Sequence, residues 1–380
     1  MLGKFRLVSD TMGEFYDLLK PWTDESFWDF GKVESVPGTI YVFGRQHFVD
    51  HLARLKDMAN SGQYIIVYGN SAEGAWPLET QLKQYGIDQL AREGKILVVG
   101  GAECSPEYVN LAHEHFLPRI LDYEENLQAQ SRTDEIFAKV DKPYKFLFLN
   151  GRARPHRKYA YEKLHRLGLL DQALWTMLDS NPTGFRFFEF KENGVDVMSL
   201  PSPIKLLPEH YEVDRYRTPR LPNMGHPNIN VKYDLFNKEW GEIYLEPAPY
   251  IDTYFSLVTE TVCYESPYSF RTEKIAKPLA MGHPFIVISN AGFYKDLHNM
   301  GFKTFGHIID ESFDKIDHGQ ARVDRIIQVV EDLCQQDLAS FLKECYTVCK
   351  YNQQHLVEVR DQVRREFPDR FFNFIKTHSQ

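Results

Sequence analysis

The sequence predicts an α/β fold, with two successive α/β units facing each other across a cleft and helices closing the chain. Three observations carry that expectation. The 380 residues are about two ordinary domains' worth of chain, on a prior of roughly 150 residues per domain. Short apolar runs alternate with stretches of helical spacing through residues 1–140, and several of those runs end in glycine. That is the pattern of a parallel sheet covered on both faces. The pattern restarts at Tyr144, after a polar stretch at 126–142 that reads as a connector. The expected division is therefore an N-terminal domain at 1–140, a second domain at 141–330, and helices at 331–380 that pack across both.

Each element has its own signal. The run Gly38-Thr-Ile-Tyr-Val-Phe-Gly44 reads as a strand closed by a turn, and Phe48, Leu52, Leu55 and Met58 give His47 to Asn60 a helical face. Tyr64-Ile-Ile-Val-Tyr68 is a second strand, 77–85 a helix, and Lys95-Ile-Leu-Val-Val99 a third strand before Gly100-Gly101. In the second half, Tyr144-Lys-Phe-Leu-Phe-Leu149 is a strand and Arg157 to Leu170 a helix with apolar or aromatic residues at 159, 161, 164 and 167. The apolar Phe255-Ser-Leu-Val258 run leads to Glu260, and Pro284-Phe-Ile-Val-Ile288 is another buried-type strand. Nine of the 20 prolines fall in 181–250, which reads as long loops, and the chain is helical from Gln320 onward. In sheets of this kind ligands bind outside the C-terminal ends of the strands.

Composition narrows the function classes. The chain is 43% hydrophobic and 26% charged, a globular composition, and its formal net charge is −9. An acidic chain lacks the whole-surface attraction that non-specific nucleic-acid binders use. No stretch approaches the ~20 apolar residues that span a bilayer, and the N-terminus is too charged for a secretory signal. The 5 cysteines form no even framework and no CxxC, so buried free thiols in a cytoplasmic protein are expected. Neither a P-loop nor a G-x-G-x-x-G is present. His113-Glu-His115 places its histidines on diverging directions of a helix with no third ligand nearby, so no metal site is expected.

Three segments carry chemistry. Phe148-Leu-Asn-Gly-Arg-Ala-Arg-Pro-His-Arg157 puts Arg152, Arg154, His156 and Arg157 at a strand-to-helix turn, beyond Asn150. A helix N-terminus offers unpaired N–H groups and a positive dipole end, and guanidiniums match phosphate oxygens in pairs. The alternative is a solvated basic loop. In the second segment, Thr272 reads as an N-cap, with Glu273 and Lys274 in the first helical turn. A lysine there opposes the dipole, which makes sense if it reaches an anion bound at the same helix end; the alternative is an ordinary helix start with surface charges. Pro278 should leave this helix short or kinked. Thirdly, Glu73 and Glu103 each follow an N-domain strand at the rim of the expected cleft, where a general base would stand, or serve only as turn acids.

Taken together, the Asn/Arg turn and the Thr-Glu-Lys helix start resemble the α1,3-fucosyltransferase-like glycosyltransferases, of GT-B type with two Rossmann-like domains. Asn150, Arg157 and Leu164 match that family's strand-end layout, and Thr272, Glu273 and Lys274 its later motif. The apolar helix, the glycine and the strand that follow match in Leu279-Ala-Met-Gly282-His-Pro-Phe-Ile-Val-Ile288. Phe302-Lys-Thr-Phe305 and Asp310-Glu-Ser-Phe-Asp314 are similar to phage-borne members. The match covers 144–175 and 255–310. It departs from the family where Thr259-Glu-Thr stands in place of Phe-Glu-Asn, with Glu260 13 residues before Glu273.

The resemblance implies a nucleoside diphosphate-sugar donor held in the C-terminal domain. Arg157 and Lys274 would hold the diphosphate, with Asn150, Arg152, Arg154 and Thr272 around it. Glu273 would take the ribose hydroxyls and Glu260 would lie near the sugar. The expected activity is a metal-independent, inverting transfer to a glycan or other hydroxyl acceptor, with no cofactor and with Glu103 or Glu73 as base. Two rivals stand beside it. One is a sugar transferase acting on a nucleobase of phage DNA, disfavoured by the net charge and by the lack of a Lys/Arg cluster in 41–130. The other is a non-catalytic nucleotide- or glycan-binding protein.

Overall fold

The computed structural model describes residues 7–9, 28–30, 40–43, 52–63, 65–70, 78–100, 107–112, 117–122, 124–151, 153–178, 189–201, 203–208, 210–211, 245–263 and 269–378. These form two compact units: residues 1–117 with 358–380, and residues 118–357.

The first unit holds a six-stranded sheet of β1 (Leu7–Ser9), β2 (Trp28–Phe30), β3 (Ile40–Phe43), β4 (Ile65–Asn70), β5 (Ile96–Gly100) and β6 (Asn110–Ala112), in the order β2-β1-β3-β4-β5-β6. Every pairing in it is parallel. The expected strands at 38–44, 64–68 and 95–99 are β3, β4 and β5. Helices α1 (Leu52–Ser61), α2 (Leu78–Gln84) and α3 (Asp88–Arg92) alternate with them. Parallel strands need such crossovers, and strands covered on both faces need apolar residues throughout. Ile66, Ile96 and Val98 pack with Leu55, Met58, Leu82 and Ala91 of the helices. Ile40, Val67, Leu97 and Val99 pack with Phe367, Phe371, Phe372 and Ile375 of the last helix.

The second unit repeats the winding. Its four-stranded parallel sheet runs β12-β11-β7-β8, from β7 (Tyr144–Asn150), β8 (Ala173–Met177), β11 (Thr253–Thr259) and β12 (Phe285–Ile288). A separate antiparallel pair joins β9 (Lys191–Glu192) to β10 (Val195–Asp196). Counted within each unit, both sheets place the first strand between the second and the third. The chain thus reverses direction between β1 and β3 in one unit and between β7 and β11 in the other.

The polar stretch 126–142 is not an open connector. It holds α4 (Glu124–Gln130) and α5 (Thr133–Ala138), and it belongs to the second unit. Sparse apolar residues suffice there, because Asn126, Ala129, Thr133 and Ile136 are all buried. Thr133 also donates to the Met281 carbonyl at 3.0 Å. Downstream come α6 (Pro155–Arg166), α7 (Ala248–Ile251), α8 (Glu273–Met281), α9 (Phe293–Asn299), α10 (Gly319–Cys334) and the 41-residue α11 (Leu338–His378). Pro278 lies inside α8, which is short as expected and stops at Gly282 in the left-handed region, φ 59°. The proline-rich region is described only in part, and 212–244 lies outside the described residues. Cys263, Cys334, Cys345 and Cys349 are free and buried; Cys104 lies outside the described residues. Among the described residues no helix is long and apolar enough to cross a membrane.

Candidate functional site

In an open α/β sheet the reversal point leaves a crevice at the C-terminal strand ends, because successive connections leave in opposite directions. In the second unit that point lies between β7 and β11. It is here that the separate sequence segments meet.

From β7, Asn150 is 1% exposed and accepts from Thr259 Oγ1 through Oδ1 at 2.6 Å. Its buried Nδ2 has no hydrogen-bond partner among the described residues. The chain then turns into α6, with Arg154 extended at the cap position and Pro155 at the helix start, whose fixed φ suits that place. No side chain caps this end, and the first turn holds no acid. Instead it buries His156, Arg157 and Lys158. Arg157 Nη2 donates to the carbonyls of Thr259 at 3.2 Å and Glu260 at 3.1 Å, the end of β11. His156 Nε2 lies 2.8 Å from the same Glu260 oxygen. A carbonyl only accepts, so Nε2 carries the proton and Nδ1 is left as an acceptor. Burial first, then the neighbouring Arg157 charge, holds this imidazole well below its ordinary value, so it is neutral.

Glu260 follows β11 directly and is 0% exposed. Its carboxylate accepts from Thr261 N at 3.0 Å, Thr272 N at 3.1 Å and Thr272 Oγ1 at 2.8 Å. Burial raises its pKa, while the Lys274 charge and the Thr272 hydrogen bonds pull it back. Thr272 is the N-cap of α8, accepting from Lys274 N at 3.3 Å. Lys274 Nζ donates to Thr272 Oγ1 at 2.9 Å, Thr261 Oγ1 at 3.1 Å and Glu273 Oε1 at 2.7 Å. The lysine keeps 24% of its side chain exposed and Glu273 9%, so the lysine is the more exposed member of the pair.

Six of the expected residues are thus one connected cluster: Asn150, Arg157, Glu260, Thr272, Glu273 and Lys274. Leu164 lies on the buried face of α6. Glu260 and Arg157 are both engaged within the protein. Glu260 was expected beside a reacting sugar, but its oxygens are buried and engaged by three donors, so it locks the β11 end to the start of α8. Arg157 was expected to face phosphate, and its Nη2 is spent on main-chain carbonyls. Arg152, Glu73 and Glu103 lie outside the described residues.

Sequence reasoning missed Thr261 and Arg322. Thr261 had a signal in the Thr-Glu-Thr repeat around Glu260. Arg322 had none, since it donates to Ser289 O at 2.7 Å across 33 residues of chain. A separate cavity of about 770 Å³ lies between α9 and the 312–315 turn, walled by Tyr294, Lys295, His298, Glu311, Asp314 and Lys315 among others. It contains none of the predicted site residues.

No protein-family model matches the chain, and no curated protein matches it.

Proposed function

We propose that the second unit binds the diphosphate of a nucleotide-sugar where β7 and β11 end, and that the chain is a metal-independent glycosyltransferase. The observation that carries this reading is the meeting of two cation-bearing helix starts, α6 and α8, at the reversal point of a parallel sheet. Helix N-termini favour anions. Arginines and a lysine placed there raise the cost of leaving the site empty and lower the cost of filling it with phosphate.

In this reading Lys274 moves from Glu273 to a phosphate oxygen. Glu273, so released, accepts from ribose hydroxyls. The α6 N–H groups and Asn150 Nδ2 supply further donors. Arg157 and Glu260 act as positioning residues, one holding the last carbonyls of β11 and the other the cap of α8. A leaving nucleoside diphosphate gains charge as the glycosidic bond breaks, and preorganised donors stabilise that charge. The base stays assigned to Glu103 or Glu73 of the first unit, and the GT-B type of pairing between two Rossmann-like units belongs to the same proposal.

A thermal-shift panel of GDP, UDP, CMP and ADP, followed by their sugars, tests it. A ligand at a hundredfold excess over its Kd adds about 2.7 kcal/mol of stability, a shift of roughly 5–10 °C for a unit of this size. One nucleotide should shift wild type and shift Lys274→Ala much less. Release of free sugar from the matching nucleotide-sugar then separates an enzyme from a binding protein. No shift with any nucleotide contradicts the reading.

A further inference from the structure

His156 reads from the sequence as one more basic or titratable group at the start of α6, and its surroundings make it an acceptor instead. It is the second residue of α6 and 4% exposed, and its Nε2 donates to the Glu260 carbonyl at 2.8 Å. Arg157 Nη2 donates to the same oxygen at 3.1 Å. Phe190 lies against the ring, with centroids 6.4 Å apart. The imidazole is therefore held in place within the cluster of strand-end residues. Burial and then the charge of Arg157 keep it neutral, and the charges of Arg154 and Lys274 add to the effect.

A neutral imidazole that donates through one nitrogen accepts through the other. Among the described residues the ring's hydrogen bond runs through Nε2 alone, which leaves the lone pair of Nδ1 unused. Around it the site is rich in donors: the α6 N–H groups, Arg157 and Lys274. The two carboxylates of the cluster are already taken, Glu260 by three donors and Glu273 by Lys274. An ionised phosphate offers only lone pairs and cannot satisfy Nδ1, whereas a hydroxyl can.

We propose that His156 Nδ1 accepts a hydrogen bond from a hydroxyl of the donor's sugar, so that the site prefers the intact nucleotide-sugar to the nucleoside diphosphate left after transfer. The proposal rests on the functional reading above. That reading gives the ribose hydroxyls to Glu273 at the start of α8, which leaves the start of α6 for the other substituent of the diphosphate. The role is acceptance of a hydrogen bond and not removal of a proton, because an imidazole held well below its ordinary value is a weak base. When the sugar leaves, Nδ1 loses its donor, and a buried acceptor left unpaired weakens binding about tenfold.

The test is calorimetric titration of the full chain with GDP-mannose, GDP-fucose, UDP-glucose and UDP-galactose, each set against its bare diphosphate. His156→Gln keeps an amide N–H for the Glu260 carbonyl and removes the acceptor. It should bind the diphosphate within about twofold of wild type and the matching nucleotide-hexose about tenfold more weakly. A histidine that only braces the fold would move both ligands alike or neither, and either result overturns the inference while the nucleotide site stands. If His156→Gln does not fold, nitrogen NMR of histidine-labelled wild type decides the matter. One unprotonated Nδ1 resonance should shift with the nucleotide-hexose and stay in place with the diphosphate, and the absence of any such resonance overturns the inference. So does a wild type that binds a diphosphate but none of its hexose forms. A wild type that binds neither diphosphates nor nucleotide-hexoses removes this inference and the functional reading together.

Discussion

The two edges of the second unit's sheet are built from the same kinds of residue and differ in how those residues are engaged. At the N-terminal edge His283 is buried, with Nε2 2.9 Å from Thr253 O and Nδ1 2.9 Å from Ser256 Oγ. Both ring nitrogens are used. Lys142 Nζ donates to Ile136 O at 2.8 Å and Ile251 O at 2.6 Å, and Tyr211 donates to Asp252 at 2.7 Å. At the C-terminal edge His156 uses Nε2 on a carbonyl, Asn150 Nδ2 and Ser289 Oγ have no partner among the described residues, and three helix starts carry cations. A buried polar group without a partner costs about 1–3 kcal/mol, so an edge that holds two of them is poised for something to bind. The other edge holds one such atom, Gln130 Nε2, beside a network in which Gln353 joins Gln130, Thr133 and Ala280.

The comparison breaks most visibly at Glu260. Glu260→Ala leaves Thr261 N, Thr272 N and Thr272 Oγ1 without their shared acceptor inside the protein. It should cost about 3–5 kcal/mol of stability in chemical denaturation, with Glu260→Gln losing less. A change below about 1 kcal/mol would show that the carboxylate is not a lock. At the other edge, Gly282→Ala should cost about 2 kcal/mol, because a Cβ would stand 2.8 Å from Thr133 Cγ2 at a φ of +59°. Nucleotide binding should survive that change if the edges are independent.

Acid sharpens the comparison through its sign. Burial pushes His283 down to about 3 and holds His156 well below its ordinary value. The unfolded chain therefore takes up these protons first, and stability falls as pH drops below about 6.5, at roughly 1.4 kcal/mol per pH unit for each histidine. Glu260 acts oppositely, since burial raises its pKa and its contribution fades as pH rises through that value. Denaturation midpoints at pH 7, 5.5 and 4.5 should fall in wild type and fall less steeply in His283→Gln. Parallel slopes for the two would mean that His283 is not held neutral.

Much of this was legible in residues that act locally. The apolar runs at 144–149 and 284–288 could only be covered strands, and Thr272 before Glu273 and Lys274 could be read as a helix cap from three adjacent residues. What stayed hidden depends on contacts across the chain. The engagement of Glu260 by Thr272 spans 12 residues and that of Arg322 with Ser289 spans 33, and neither leaves a periodic trace. The stretch 126–142 reads as a connector because its helices bury only a few residues, several of them polar.

The central claim is that the C-terminal edge is an anion site and the N-terminal edge is not. Lys274→Met and Lys142→Met remove one ammonium from each. Titrating both variants and wild type calorimetrically with the nucleoside diphosphate that wild type binds tests the claim directly. Lys274→Met should weaken binding at least tenfold, the loss of about one charge-assisted contact, and Lys142→Met should leave it within about twofold. Equal affinities for the two variants would contradict the assignment of the site.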